Sequence, residues 1–93
     1  ILHNRDSRLA QIMLDLLRGE GLCVGDNEPY ALTDTSDYTV PEHAERRGLP
    51  YIEIEIRQDL ITAPEGQAEW AARLARLLPA AWQTFGERYG DAA

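Results

Sequence analysis

The sequence predicts an α/β chain, a partial two-stranded sheet with helices packed on it, and three observations predict it. Ile52, Ile54 and Ile56 alternate with Glu53, Glu55 and Arg57, the period of two that marks a strand with unlike faces. Apolar residues on either side of that stretch recur at helical spacing. The elements also alternate in kind, in the order helix, strand, short helix, strand, long helix, which argues for layers of helix on sheet. Two strands are too few for an independent sheet. The sheet is therefore expected to be part of a larger one, completed by a missing N-terminal portion or by another copy of the chain.

The first helix is predicted from Leu9, Ile12, Met13, Leu16 and Leu17, at i, i+3, i+4, i+7 and i+8. Asn4, Asp6 or Ser7 would cap it, and Gly19 or Gly21 would end it. Leu22-Cys23-Val24 reads as a short buried strand, with Cys23 in the core. Gly25 to Asp37 lacks either period and is rich in turn formers, so it reads as a long loop of the kind that often carries function. Thr39-Val40-Pro41-Glu42 has the pattern of a capping box opening a short helix that runs to Arg47 and stops at Gly48. Thr62-Ala63-Pro64-Glu65 repeats the device before the longest helix, whose apolar positions are Trp70, Leu74, Leu77, Leu78, Ala81, Trp82 and Phe85. Pro79 is expected to kink or break that helix near Leu78. Residues 90–93 read as a frayed end.

Composition narrows the function. The 93 residues suffice for one small domain. The net charge of −7 disfavours nucleic acid and anionic membranes as partners. All nine cationic residues are Arg, which with the abundant Ala suggests a GC-rich bacterial genome. The single Cys has no internal partner, as in a reducing compartment, so a cytoplasmic location is expected. No apolar run reaches the length of a membrane span. The chain begins at Ile1 rather than Met and reads as a processed piece or the ordered remnant of something longer.

Parallel strands would bring their carboxyl ends to one edge, where open α/β sheets bind ligands. Neighbouring strands lie about 4.8 Å apart, so Asn27 and Glu28 after the first strand would reach the same small ligand as Glu55 on the second. Arg57 is suited to holding a carboxylate through two parallel hydrogen bonds. A partly buried Glu55 would have a raised pKa and serve as general base. Glu53, one pleat back, is expected to pair with an Arg or a backbone group and to support the floor. A Glu–Arg ion pair on a solvated face accounts for the same spacing, and packing alone accounts for Tyr30, Tyr38 and Tyr51. His43 and His3 lack a second His or Cys at metal-ligand spacing, and no metal ligand is assigned within the chain.

Val24-Gly25-Asp26-Asn27-Glu28-Pro29-Tyr30, Asp37-Tyr38-Thr39 with His43, and Arg47-Gly48-Leu49-Pro50 running into Ile52-Glu53-Ile54-Glu55-Ile56-Arg57-Gln58-Asp59-Leu60 resemble the C-terminal part of the N-formylglutamate amidohydrolase family. The resemblance extends from about Asn4-Arg5-Asp6 to the long helix. It implies a zinc carboxypeptidase-like, three-layer α/β hydrolase, with residues 1–93 as the C-terminal fragment of its single domain. It implies hydrolysis of the linear amide of an N-acyl amino acid such as N-formyl-L-glutamate, by a zinc ion whose ligands lie mostly outside this chain. Glu55-Ile56-Arg57 fits the family pattern in which Glu55 is the general base. Asn27, Glu28, Tyr30, Arg57 and His43 become the substrate-binding candidates. The fragment alone is expected to be inactive. The competing expectation is a non-catalytic α/β module that binds an amino acid or a protein partner at the same edge.

Overall fold

The computed structural model describes residues 1–90; most of the expected frayed end, residues 91–93, lies outside the described residues. Two α-helices dominate, α1 (Arg8–Gly19) and α2 (Pro64–Tyr89), and they pack on each other. Asp6 caps α1 from one residue further out than Ser7, accepting the Arg8 backbone N–H on its carboxylate at 3.1 Å. Past the end of α1, Gly21 takes the left-handed conformation with φ 80°.

The buried arc of α1 is wider than the periodicity of five residues suggests. Ala10 and Leu14 are fully buried beside Ile12, Met13 and Leu17, whereas Leu9 and Leu16 are only partly covered. The reason is that α1 is covered from two directions. Leu77, Ala81 and Phe85 of α2 lie on one side, and Leu22, Val24, Ile52 and Ile54 pack against the same core. On α2 the buried stripe is Leu77, Ala81 and Phe85, with Trp70 and Leu74 extending it. Leu78 and Trp82, expected on that stripe, face outward at 40% and 50% exposure. The helix runs unbroken through Pro79, so the expected break is absent.

The α/β expectation is overturned. Among the described residues there is no β-strand and no sheet; the regular structure is entirely helical. Ladders require neighbours, and the two predicted strands are not neighbours of each other. Ile1–His3 lies between them. On one side Leu2 and Glu53 exchange both backbone hydrogen bonds in a single antiparallel bridge. On the other, Ile1 N donates to Gly25 O and accepts at its own carbonyl the Asn27 N–H. Beyond these the segment makes backbone pairs only at the His3 carbonyl, which accepts the Leu32 N–H at 3.3 Å. The period-two alternation records one-sided burial instead. Ile52 and Ile54 face the main core, and Tyr51 packs into a second cluster of Leu2, Leu32 and Val40.

The short helix also differs in detail. Val40–Ala44 forms a π-helical turn and Glu45–Arg47 a 3₁₀ turn, closed by Gly48 at φ 70°. Thr39 makes no side-chain cap; Asp37 accepts the Val40 N–H at 2.9 Å in its place. The T-x-P-E pattern before α2 likewise places Pro64 in the first turn without a side-chain cap.

Candidate functional site

A groove of about 650 Å³ opens between residues 21–25 and 54–57. Its floor is apolar, made by Leu17, Leu22, Val24, Ile54 and Trp70. Its exposed rim carries Glu28, Glu55 and Arg57. Three of the residues singled out by sequence thus line one cavity. Cys23 lines it too, exposed rather than in the core as expected.

Glu55 stands exposed on the rim. The Tyr30 hydroxyl donates to its Oε1 across a long 3.4 Å. The negative charge of Glu55, and secondarily burial, raise the Tyr30 phenol above its ordinary value, so Tyr30 stays a donor at neutral pH. Arg57 is not free. Its Nε and Nη2 grip both carboxylate oxygens of Asp59 at 3.1 and 2.5 Å, and this hydrogen-bonded guanidinium lowers the Asp59 pKa. Both side chains are well exposed, 76% and 62%, and an exposed pair contributes little. Opening that pair therefore costs little.

Asn27 and His43 are placed otherwise than a shared substrate site requires. Asn27 sits at φ 56°, and its Oδ1 accepts the His3 backbone N–H at 2.8 Å. Its side-chain acceptor thus anchors the N-terminal segment. His3 Nε2 lies 2.7 Å from Asp26 Oδ1 beside it, and that bond lowers the Asp26 pKa. His43 is exposed on the Val40–Ala44 turn, edge-on to the Tyr38 ring at 5.5 Å, and does not line the groove.

Glu53 corrects another expectation. Its Oε2 is buried with no hydrogen-bond partner, so neither an Arg nor a backbone group pairs with it there. Burial first, and then the charges of Asp37 and Glu55, push its carboxyl above the ordinary value. Sequence reasoning missed Trp70 as a wall of the groove, although its place on a helical apolar face was a usable signal. It also missed the insertion of Ile1–His3, for which three residues offer no periodic signal.

A second cleft, about 580 Å³, lies beside Arg5, Asp34, Glu45 and Arg46. Its guanidinium groups already face carboxylates: Arg5 meets Asp34, and Arg46 meets Glu42. Among the described residues no group of three or more His, Cys, Asp or Glu is arranged to hold a metal ion. The residues present therefore do not make a zinc site. No described helix is long and apolar enough to cross a membrane.

No curated protein and no solved structure matches the chain. A family model described as N-formylglutamate amidohydrolase matches residues 1–62. That span carries the whole rim of the groove and all of its lining except Trp70. With 62 of 93 residues matched, the chain belongs to the N-formylglutamate amidohydrolase family.

Proposed function

We propose that the chain contributes the general base and the carboxylate-binding rim of an amidohydrolase acting on an N-acyl amino acid such as N-formyl-L-glutamate. The observation that carries this reading is the convergence of Glu55, Glu28 and Arg57 on one groove, with Tyr30 hydrogen-bonded to Glu55. Glu55 accepts the proton of the attacking water. Arg57, released from Asp59, takes a substrate carboxylate in two parallel hydrogen bonds. Tyr30, a neutral phenol, holds the Glu55 carboxylate in place with its one O–H. Any metal ligands would come from residues outside this chain.

Titrating the chain with N-formyl-L-glutamate, followed by NMR, tests the binding half. Shifts should concentrate at residues 28–30 and 55–59 and weaken in Arg57→Ala. Shifts confined to the cleft by Arg5 and Arg46, or none at millimolar ligand, would overturn the assignment.

A further inference from the structure

Helix α2 carries a second apolar stripe, and it lies outside the span that the family model matches. Ala75, Leu78, Trp82, Gly86 and Tyr89 recur at steps of three and four residues, so they line one face of the helix. All five are exposed, while Leu77, Ala81 and Phe85 beside them fill the core. The two exposed rings are nevertheless held in place. Trp82 stacks on Phe85 at 5.5 Å with 6° between the planes, and Tyr89 lies 4.9 Å from the same ring. Rings fixed in advance lose little freedom when a partner covers them.

Charge argues for a like partner on this face. The chain carries a net charge of −7, which opposes contact between two copies over most of their surface. Helix α2 has no share in that charge, because three Glu and three Arg balance along its length. The stripe itself is uncharged. Arg76 and Glu87 flank it on one side, eleven residues or about three helical turns apart. Glu87 is exposed and in no ion pair among the described residues. Arg76 gives its two terminal nitrogens to Glu20 and keeps its Nε.

The stripe is also its own complement when reversed. Leu78 and Gly86 stand four residues either side of Trp82, and Ala75 and Tyr89 stand seven. In an antiparallel pair with its two-fold axis at Trp82, each large side chain meets a small one. Leu78 faces Gly86 of the other copy, and Tyr89 faces Ala75. Gly86 has the room, since a Cβ there would meet nothing within 4 Å. On the flank, Glu87 arrives within about one helical rise, roughly 1.5 Å along the axis, of Arg76 in the other copy. Pro79 adds a polar feature. It has no N–H to give the Ala75 carbonyl, which leaves that exposed acceptor for the Tyr89 hydroxyl of the other copy.

We propose that the chain pairs with a second copy of itself through α2, antiparallel about a two-fold axis at Trp82, with Leu78 seated on Gly86, Tyr89 on Ala75 and Arg76 facing Glu87 across the axis. The contact is one helix face, so the dimer is weak and reversible. It uses no residue of the groove and stands whether or not the hydrolase reading does.

Sedimentation equilibrium of the whole 93-residue chain, from micromolar to millimolar concentration, should show a monomer–dimer equilibrium that closes at two copies. Gly86→Leu separates pairing from folding. The added side chain meets open space in a single copy and suits a helix better than glycine, so melts at low concentration should not fall. In the pair it occupies the place of Leu78, and the dimer dissociation constant should rise about tenfold or more, as overpacking requires. Leu78→Ala alone should also weaken pairing, by leaving a hole. Combined with Gly86→Leu it should restore pairing, because the two changes exchange the large partner for the small one. A chain that stays monomeric at millimolar concentration, a dimer indifferent to Gly86→Leu, a double variant no tighter than Gly86→Leu, or association that continues past two copies would each overturn the proposal.

Discussion

The Tyr51 hydroxyl donates to Glu45 Oε2 at 3.1 Å and accepts the Asn4 backbone N–H at 2.7 Å. The Glu45 side chain is only 5% exposed and also accepts from Asn4 Nδ2 and the Asp6 N–H, each at 2.7 Å. One tyrosine and one glutamate thus tie the turn before α1 to the 3₁₀ turn and to the segment that enters the groove wall. Tyr51→Phe leaves the Asn4 N–H without its acceptor, while Glu45 Oε2 keeps the Asp6 N–H, and should cost about 1–3 kcal/mol. Burial chiefly pushes the Tyr51 hydroxyl up to about 12. Folding thus favours its neutral form. That contribution is complete below the ordinary value of 10.0 and is lost as pH rises toward about 12. Thermal melts from neutral to strongly alkaline pH should show a steeper loss in the wild type than in Tyr51→Phe.

Glu53→Gln should stabilise the chain at neutral pH, the reverse of what a paired Glu53 would give. The folded carboxyl titrates above its ordinary value of 4.5. Between the two values the folded state binds the extra proton, so the stability linked to Glu53 is highest below 4.5 and falls as pH rises through the folded value. Removing the charge removes that fall. The variant should melt higher than wild type at pH 7, by roughly a few degrees, and level with it in acid. A lower melting temperature at pH 7 would mean that Oε2 has a partner after all.

Gly66 is held by its surroundings rather than by its conformation. A Cβ there would overlap the Leu60 carbonyl oxygen and lie 3.1 Å from the Leu60 carbonyl carbon. The first turn of α2 is thereby seated on the 3₁₀ turn Gln58–Leu60 that carries Asp59, the partner of Arg57. Gly66→Ala should destabilise by about 1–3 kcal/mol through overpacking. Gly86, on the same helix with nothing within 4 Å, is the control. Gly86→Ala should stabilise by roughly 0.5–1 kcal/mol. Chemical denaturation of both variants measures the contrast.

If the proposed hydrolase reading is right, Glu55→Gln should lower kcat by about 10²-fold or more, because general bases typically contribute 10²–10⁴. Its melting temperature should barely move, since Glu55 is exposed and its one side-chain hydrogen bond is 3.4 Å long. Formate release under saturating substrate, read beside a thermal melt, checks both. Undiminished turnover removes Glu55 from the mechanism.

What was legible in the sequence was local. The 3.6-residue period found α1 and α2, Gly48 marked a left-handed stop, and the alternation at residues 52–57 found which side of that segment is buried. What failed was non-local. Alternation is the same whether a segment pairs in a ladder or lies alone against a helix, so Ile52, Ile54 and Ile56 could not tell a sheet from an extended segment. The capping box failed because the Glu42 N–H that Thr39 would take donates to the Tyr38 carbonyl instead. Glu55 and Arg57 were legible as rim neighbours because they share one face of the alternating segment. His43 does not line the groove, and Asn27 spends its side-chain acceptor on the His3 backbone.

Ile1 and Leu2 enter different hydrophobic clusters, and His3 and Asn4 bond to Asn27 and Tyr51, 24 and 47 positions away. Residues 1–4 are therefore among the last of this chain to find their partners. Closing loops of this length costs chain entropy before any contact repays it. The helices are able to form early from neighbours in sequence, but residues 1–4 must wait until residue 53 is available. Translation order and assembly order run in opposite directions here, and a nascent chain stalled before Tyr51 would hold α1 with its buried face still open to solvent.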